Sequence, residues 1–164
     1  MSQRCFIALG ANLGDPVATV SAAIVALRSL PQTEFVAASS LYRTAPVGLR
    51  HQPDFINAVV EVVAVSPAPT LLDRLFAIEA HFGRQRSVRN APRTLDLDLL
   101  LYGETCSADP QLTLPHPRLH ERAFVLAPLA ELAPRLSIPG RGPVEQLLQR
   151  CADQQIERLL PLVA

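Results

Sequence analysis

Apolar runs of strand length alternate along this chain with stretches in which apolar residues recur every three or four positions. Residues 5–9 form a short continuous apolar run ending at Gly10, which predicts a buried first strand. Gly10-Ala11-Asn12-Leu13-Gly14 reads as a turn, after which Asp15 supplies a helix N-cap and Pro16 the first helical position. Val20, Ala23, Ile24, Leu27 and Leu30 then keep helical spacing until Pro31 closes the helix. Residues 35–42 look extended and lead into a loop, 43–54, whose 12 residues include two prolines and one glycine. The β-branched run 55–65 is a strand, broken by Ser66-Pro67-Ala68-Pro69. A helix is predicted over 69–82, with Gly83 as its stop and Glu79 on the apolar stripe with Leu72 and Phe76. An arginine-rich loop and a further strand follow, then a turn at Gly103, a segment 112–117, a short helical patch 120–126 and a last amphipathic helix over 143–151.

The order β-α-β-β-α-β predicts an α+β fold, a ferredoxin-like sandwich in which helices pack on one face of an antiparallel sheet. Length, and the absence of repeats, linkers or low-complexity segments, predict a single domain over residues 1–164.

The strand after Pro92 carries the most chemistry. In Arg93-Thr94-Leu95-Asp96-Leu97-Asp98-Leu99, residues two apart share a face, so Asp96 and Asp98 project together and the leucines project oppositely. Their side chains originate roughly 6.6 Å apart at the strand repeat. That gap suits carboxylates sharing divalent ions, which in two-metal sites lie roughly 3.5–4 Å apart. A solvated sheet face of alternating polarity gives the same pattern, so the neighbours must decide.

Charge brings those neighbours in. The formal net charge is zero, which argues against a general nucleic-acid binder. All 15 basic residues are arginine, which removes a lysine Schiff base and a Walker-type lysine from consideration. Arg84, Arg86, Arg89, Arg93, Arg118 and Arg122 crowd around the aspartate pair in sequence, and guanidinium forks bind phosphate oxygens in pairs. Carboxylates beside arginines point to a metal–polyphosphate ligand. No apolar run reaches the 18 or so residues of a membrane span, and the N-terminus is too short and wrongly flanked for a signal peptide. Cys5, Cys106 and Cys151 are odd in number and form no CxxC pair, so a cytoplasmic location is expected.

Two other motifs are weaker. Gly10-x-x-x-Gly14 follows a strand and opens a helix but matches neither nucleotide fingerprint, so it reads as a tight turn. His116 and His120 are four apart, yet Pro115 and Pro117 exclude a regular helix there. His116 is instead a donor for a phosphate or a nucleobase.

With these residues in place, the chain resembles the 6-hydroxymethyl-7,8-dihydropterin pyrophosphokinases from about Cys5 to Leu136. The resemblance rests on Leu9-Gly10-Ala11-Asn12-Leu13-Gly14, Tyr42-Arg43-Thr44-Ala45-Pro46, Gln52-Pro53-Asp54-Phe55-Ile56-Asn57 and Gly83-Arg84. It continues through Pro92-Arg93-Thr94-Leu95-Asp96-Leu97-Asp98 and Pro115-His116-Pro117, with Arg122 and Phe124.

The resemblance implies transfer of pyrophosphate from ATP to a pterin alcohol, with AMP released, in folate biosynthesis. It implies that Asp96 and Asp98 hold two Mg²⁺ ions on the ATP phosphates and that Arg84 and Arg93 clamp those phosphates. Glu79, Arg86, Leu99, Thr113, His116 and Arg122 match positions around ATP. Phe55 and Phe124 would sandwich the pterin, while Asn57 and the backbone of Thr44, Ala45, Pro46 and Val47 would read its amide-like edge. Closure of the 43–54 and 84–92 loops would exclude water. The expected partners are these small molecules, with no nucleic acid and no membrane, and a monomer is expected.

The sequence departs from the family pattern at three places. Phe55 stands where tyrosine is common, Gln111 where a basic residue is common, and Asn90-Ala91 where Trp-Gly is frequent. The competing readings are another carboxylate-metal phosphohydrolase and a non-catalytic ferredoxin-like binding module.

Overall fold

The computed structural model describes residues 2–45, 53–83 and 94–159. The chain runs β1 (Gln3–Ala11), α1 (Pro16–Leu27), β2 (Thr33–Ala38), β3 (Tyr42–Thr44), β4 (Phe55–Ala64), α2 (Ala68–His81) and β5 (Asp96–Tyr102). It continues through β6 (Ser107–Asp109), β7 (Leu112–Leu114), a 3-10 turn (Leu119–Glu121) and α3 (Ala123–Leu132). It closes with β8 (Ser137–Ile138), β9 (Gly142–Pro143), α4 (Val144–Gln149) and β10 (Ile156–Arg158).

The central sheet is antiparallel, in the order β10-β3-β4-β1-β5, with β2 pairing β4 beside β3. The first part of the chain gives the predicted α+β arrangement. The predicted local signals hold: Asp15 caps α1 by accepting from the Ala18 N–H at 3.1 Å, and Gly83 ends α2 with φ +93°.

Both faces of the sheet are covered. Val20, Ala23 and Leu27 of α1 and Leu71 and Leu75 of α2 pack with Cys5, Ile7, Leu9, Leu97 and Leu99 on one face. Leu71 and Leu75 are fully buried, each contributing roughly 1.5–3 kcal/mol, which anchors α2 although its Pro67 cap offers no side-chain bond. This is the predicted one-sided helix layer. On the other face, Val125, Leu126 and Leu129 of α3 and Val144 and Leu147 of α4 pack with Phe6, Val59, Leu100 and Leu101, a second layer that the one-sided arrangement lacked.

Three local expectations need correction. The extended run 35–42 is two strands, because Ser39 replaces a ladder bond with its side chain: Ser39 N–H donates to Val59 O and Ser39 Oγ accepts from Val59 N–H, both at 2.9 Å. The helical patch predicted over 120–126 is a 3-10 turn followed by a longer helix that continues through Pro128 to Leu132. Gly10 lies inside β1 rather than in a turn.

Candidate active site

A cavity of about 680 Å³ opens where β1, β4 and β5 meet the start of α3. Its acidic wall comes from β5. Asp96 and Asp98 face the cavity, while Leu95, Leu97 and Leu99 are buried in the α1/α2 layer, as period-two alternation requires. Opposite Phe6 and Ile7 the register slips by one residue: Ile7 pairs Leu99 and Phe6 pairs Leu101. Such a bulge interrupts the alternation. Leu100 and Leu101 therefore both join the α3/α4 layer, and Leu100 lines the cavity below the aspartates.

β5 lies at the sheet edge, so alternate N–H groups point away from β1. The outward Leu97 N–H, between the two aspartates, donates to Glu79 Oε2 at 2.8 Å. Glu79 is only 2% exposed, so this carboxylate braces the acidic strand from beneath rather than lining the cavity.

Gly10 forms the floor. In register it pairs Asn57 on one side and Asp96 on the other, and a Cβ there would sit 3.1 Å from Asn57 Oδ1. Any larger residue would push into the groups that face a ligand. The glycine's role in the site is invisible in the chain because it depends on both neighbouring strands.

Phe55 at the start of β4 and Phe124 on α3 form the aromatic walls, and both rings are half-buried. Asn57 is buried beside them and donates through Nδ2 to Thr44 Oγ1 at 3.0 Å, which orients its amide. Thr44 and Ala45 line the same end of the cavity. Asn12 donates to the Pro53 carbonyl at 3.4 Å, holding the chain just before Phe55.

His116 and Arg122 join the two walls. The His116 Nδ1 accepts from the Arg118 N–H at 3.2 Å, which places the ring proton on Nε2 as a donor. Burial, aided by the Arg122 and Arg118 charges and opposed by Asp98, holds the imidazole pKa below its ordinary 6.5. The ring is thus a neutral donor at pH 7. The Arg122 guanidinium lies 5.5 Å over the Phe124 ring, within cation–π range.

The structure therefore brings together Thr44, Ala45, Phe55, Asn57, Asp96, Asp98, His116, Arg122 and Phe124. Leu99 faces away from the cavity and could reach a nucleotide only with its backbone. Thr113 sits on β7 and donates to the Asp109 carbonyl at 3.0 Å. Pro46, Val47, Arg84, Arg86 and Arg93 lie outside the described residues, as does most of both loops expected to close. At the described ends of the arginine-rich segment, the Thr94 hydroxyl donates to the Phe82 carbonyl. Sequence reasoning missed Glu121 and Gln154 as cavity-lining residues and gave Arg118 no place in the site. Arg118 and Glu121 could have been found beside His116 and Arg122, whereas Gln154 has no local signal.

Among the described residues no three His, Cys, Asp or Glu side chains cluster as a closed metal cage. Two carboxylates on one strand face are an open, all-oxygen donor set. That fits Mg²⁺, which keeps waters and binds through one or two carboxylates plus substrate phosphates.

Paired carboxylates and two aromatic walls, with a neutral histidine donor and an arginine lining the same cavity, make up in an α+β fold a set of groups chemically suited to a flat ring and a polyanion. Residues 6–134 match the family described as 7,8-dihydro-6-hydroxymethylpterin-pyrophosphokinase (HPPK), and the chain belongs to that family. A 2-amino-4-hydroxy-6-hydroxymethyldihydropteridine pyrophosphokinase of Pseudomonas aeruginosa is 46% identical over 159 residues, covering 97% of this chain and 98% of that protein. The protein of the same name from Haemophilus influenzae is 41% identical, covering 95% and 98%. A crystal structure of Plasmodium falciparum HPPK-DHPS with pterin and p-hydrobenzoate superposes with a TM-score of 0.72 at 13% identity, a likeness of fold. It covers 92% of this chain, and this chain spans 42% of that one.

Proposed function

We propose that the cavity between β5 and α3 is where pyrophosphoryl transfer takes place, with ATP phosphates toward Asp96 and Asp98 and the pterin between Phe55 and Phe124. The chain transfers pyrophosphate from ATP to the hydroxymethyl group of 6-hydroxymethyl-7,8-dihydropterin, giving AMP and the pterin diphosphate, in folate biosynthesis. The observation that carries the site assignment is the meeting, in one cavity, of the β5 carboxylates with two phenylalanines from separate elements.

The pterin hydroxyl oxygen bonds to the β-phosphorus as the bond to the α-phosphate's bridging oxygen breaks, AMP departs, and the hydroxyl proton is released. There is little covalent work for the protein, so alignment and charge placement dominate. The facing rings hold the pterin by offset stacking. Asn57, oriented by Thr44, reads the pterin's polar edge. His116 donates from Nε2, and Arg122 offers a guanidinium fork to the nucleotide. Asp96 and Asp98 would hold two Mg²⁺ ions, which when bound neutralise phosphate charge. By sequence, Arg84 and Arg93 are assigned to the phosphate clamp, Arg86 to ATP, and Pro46 and Val47 to the pterin edge. The bacterial relatives support a cytoplasmic enzyme, which we read as a monomer of one domain.

Incubation with Mg-ATP and the hydroxymethyl dihydropterin tests this reading. AMP release that depends on the pterin is expected. ATP hydrolysis without the pterin would instead indicate a phosphohydrolase, and binding without turnover a non-catalytic module.

A further inference from the structure

The start of α3 carries two cavity residues, Arg122 and Phe124, but lacks a cap of its own: Arg122, at the N-cap position, makes no side-chain capping bond. Its backbone is extended, with φ −120° and ψ 111°, between the 3-10 turn and the helix. Such a junction leaves peptide groups without helical partners. The Arg122 carbonyl already accepts from Leu126 N–H at 2.9 Å, which leaves the Glu121 carbonyl and the Ala123 N–H on either side of it.

One distant side chain serves both. Gln154 Nε2 donates to the Glu121 carbonyl at 2.8 Å, and Gln154 Oε1 accepts from the Ala123 N–H at 2.9 Å. The amide thus spans Arg122 like a clip, using one donor and one acceptor of a single planar group. Gln154 sits in the turn between α4 and β10, where its own N–H donates to the Cys151 carbonyl at 3.0 Å. β10 then pairs with β3, Ile156 opposite Thr44, so the turn is fastened to the strand that ends at Thr44, the residue that orients Asn57. Gln154 also lines the cavity.

We propose that Gln154 is a positioning residue for pyrophosphoryl transfer: its amide fixes the backbone around Arg122 and so sets the Phe124 ring and the Arg122 guanidinium toward the substrates. The inference rests on the assignment of Phe124 to the pterin and Arg122 to the nucleotide. Only an uncharged amide of this length does both jobs. A carboxylate keeps the Ala123 bond but faces the Glu121 carbonyl without a proton, and asparagine falls one methylene short.

The test compares Gln154→Met, near in shape and without either bond, and Gln154→Glu with the parent and with Phe124→Ala. Steady-state kinetics, pterin binding by calorimetry and thermal melting are read for each. Two hydrogen bonds lost next to the stacking ring should raise the pterin KM about tenfold in Gln154→Met, more than kcat falls. Gln154→Glu should fall between Met and parent. In the Phe124→Ala background the methionine substitution should add less than about twofold, because the ring it positions is gone. A lowered melting temperature with unchanged pterin KM, or full additivity with Phe124→Ala, overturns the proposal and leaves a helix cap only. If Phe124→Ala itself leaves pterin affinity unchanged, the site assignment is what fails, and this proposal falls with it.

Discussion

Asp96 and Asp98 reach the cavity from a strand whose outer edge is bonded to Glu79, a carboxylate sealed in the α1/α2 layer. Phe124 reaches it from a helix tied down at its far end by a different glutamate. Glu131 accepts from Ser40 N–H at 2.9 Å, from Ser40 Oγ at 3.1 Å and from Tyr42 Oη at 2.7 Å, with Arg158 Nη2 3.6 Å away. Burial, then the bond and charge of Glu131, push the Tyr42 hydroxyl pKa far up, so it stays a donor at any working pH. The acidic wall is thus part of the sheet and braced from a dry core. Of the two aromatic walls, Phe55 belongs to the sheet at the start of β4, whereas Phe124 stands on a separate helix that, besides its apolar packing, is held by polar tethers from β3, β10 and the turn before β10. On the proposed assignment, a metal–phosphate site at the acidic wall would need fixed geometry, whereas a stacking site at Phe124 would tolerate small rotation. The two anchorings suit those needs.

The largest expected effect breaks the acidic wall alone. Asp96→Asn or Asp98→Asn relieves carboxylate repulsion on one sheet face, so melting should be unchanged or slightly raised. Transfer should fall about a thousandfold or more, since several kcal/mol of phosphate charge stabilisation is lost. Pterin binding without nucleotide should survive. Near-normal turnover in both variants would falsify the division of labour between the walls.

Next comes the aromatic wall. Phe124→Ala or Phe55→Ala should weaken pterin binding about 5- to 150-fold, from roughly 1–3 kcal/mol of stacking, and leave ATP binding nearly unchanged. Calorimetry with each ligand separately decides it. Equal weakening of both ligands would mean that the two walls are one packed unit.

The same contrast explains what could be read from the chain. Period-two spacing carried Asp96 and Asp98 to one face and Leu95, Leu97 and Leu99 to the other, because alternation along a strand is a local property. Asp15 and Gly83 mark helix ends by local chemistry too. Phe55, Asn57 and Phe124 were assigned through family resemblance, and nothing in spacing brings their elements together. What stayed hidden depends on distant partners. Ser39 splits the extended run through a bond to Val59, the bulge at Leu100 exists only against β1, and Gly10 is a floor only between β4 and β5. Pro128 lies inside α3 beyond the predicted patch, and the helix continues through it because its apolar face is packed by the second layer.

A smaller effect sharpens the comparison of the two glutamates. Glu79→Ala strands the Leu97 N–H in the core, which should cost about 1–3 kcal/mol and lower kcat through a loosened acidic strand. Glu131→Ala leaves the buried Tyr42 hydroxyl and the half-buried Ser40 donors without their acceptor, so about 1–3 kcal/mol is expected here too, and the kinetic signature separates the two variants. For Glu131→Ala that signature should be a raised pterin KM. Melting curves and a KM-against-kcat comparison read both variants; the reverse pattern would mean that α3, not β5, carries the rigid wall.

The smallest effect probes the two layers without touching the site. Cys106 is exposed, while Cys5 lies in the α1/α2 layer and Cys151 in the α3/α4 layer. Burial pushes the Cys5 thiol from 9.0 up to about 12, and burial chiefly, with the Asp153 and Glu121 charges, raises Cys151 as well. The sign follows directly: the folded thiol keeps a proton that the unfolded chain releases. The Cys5 thiol's contribution to stability is therefore fully present below pH 9 and is lost as pH rises from there toward 12. At pH 8 a thiol reagent should modify Cys106 at once with no loss of activity, since that side chain is exposed and does not line the cavity. Cys151 should follow through local opening of the turn that carries Gln154, because α4 is only six residues long and the turn after it is fastened to α3 by the two Gln154 hydrogen bonds. Cys5 should react last, at the rate of global unfolding. Mass spectrometry of the labelled chain over time separates the three. If Cys151 and Cys5 are modified together, the layers open as one body, and the softer aromatic wall inferred from Glu131 and Gln154 does not exist.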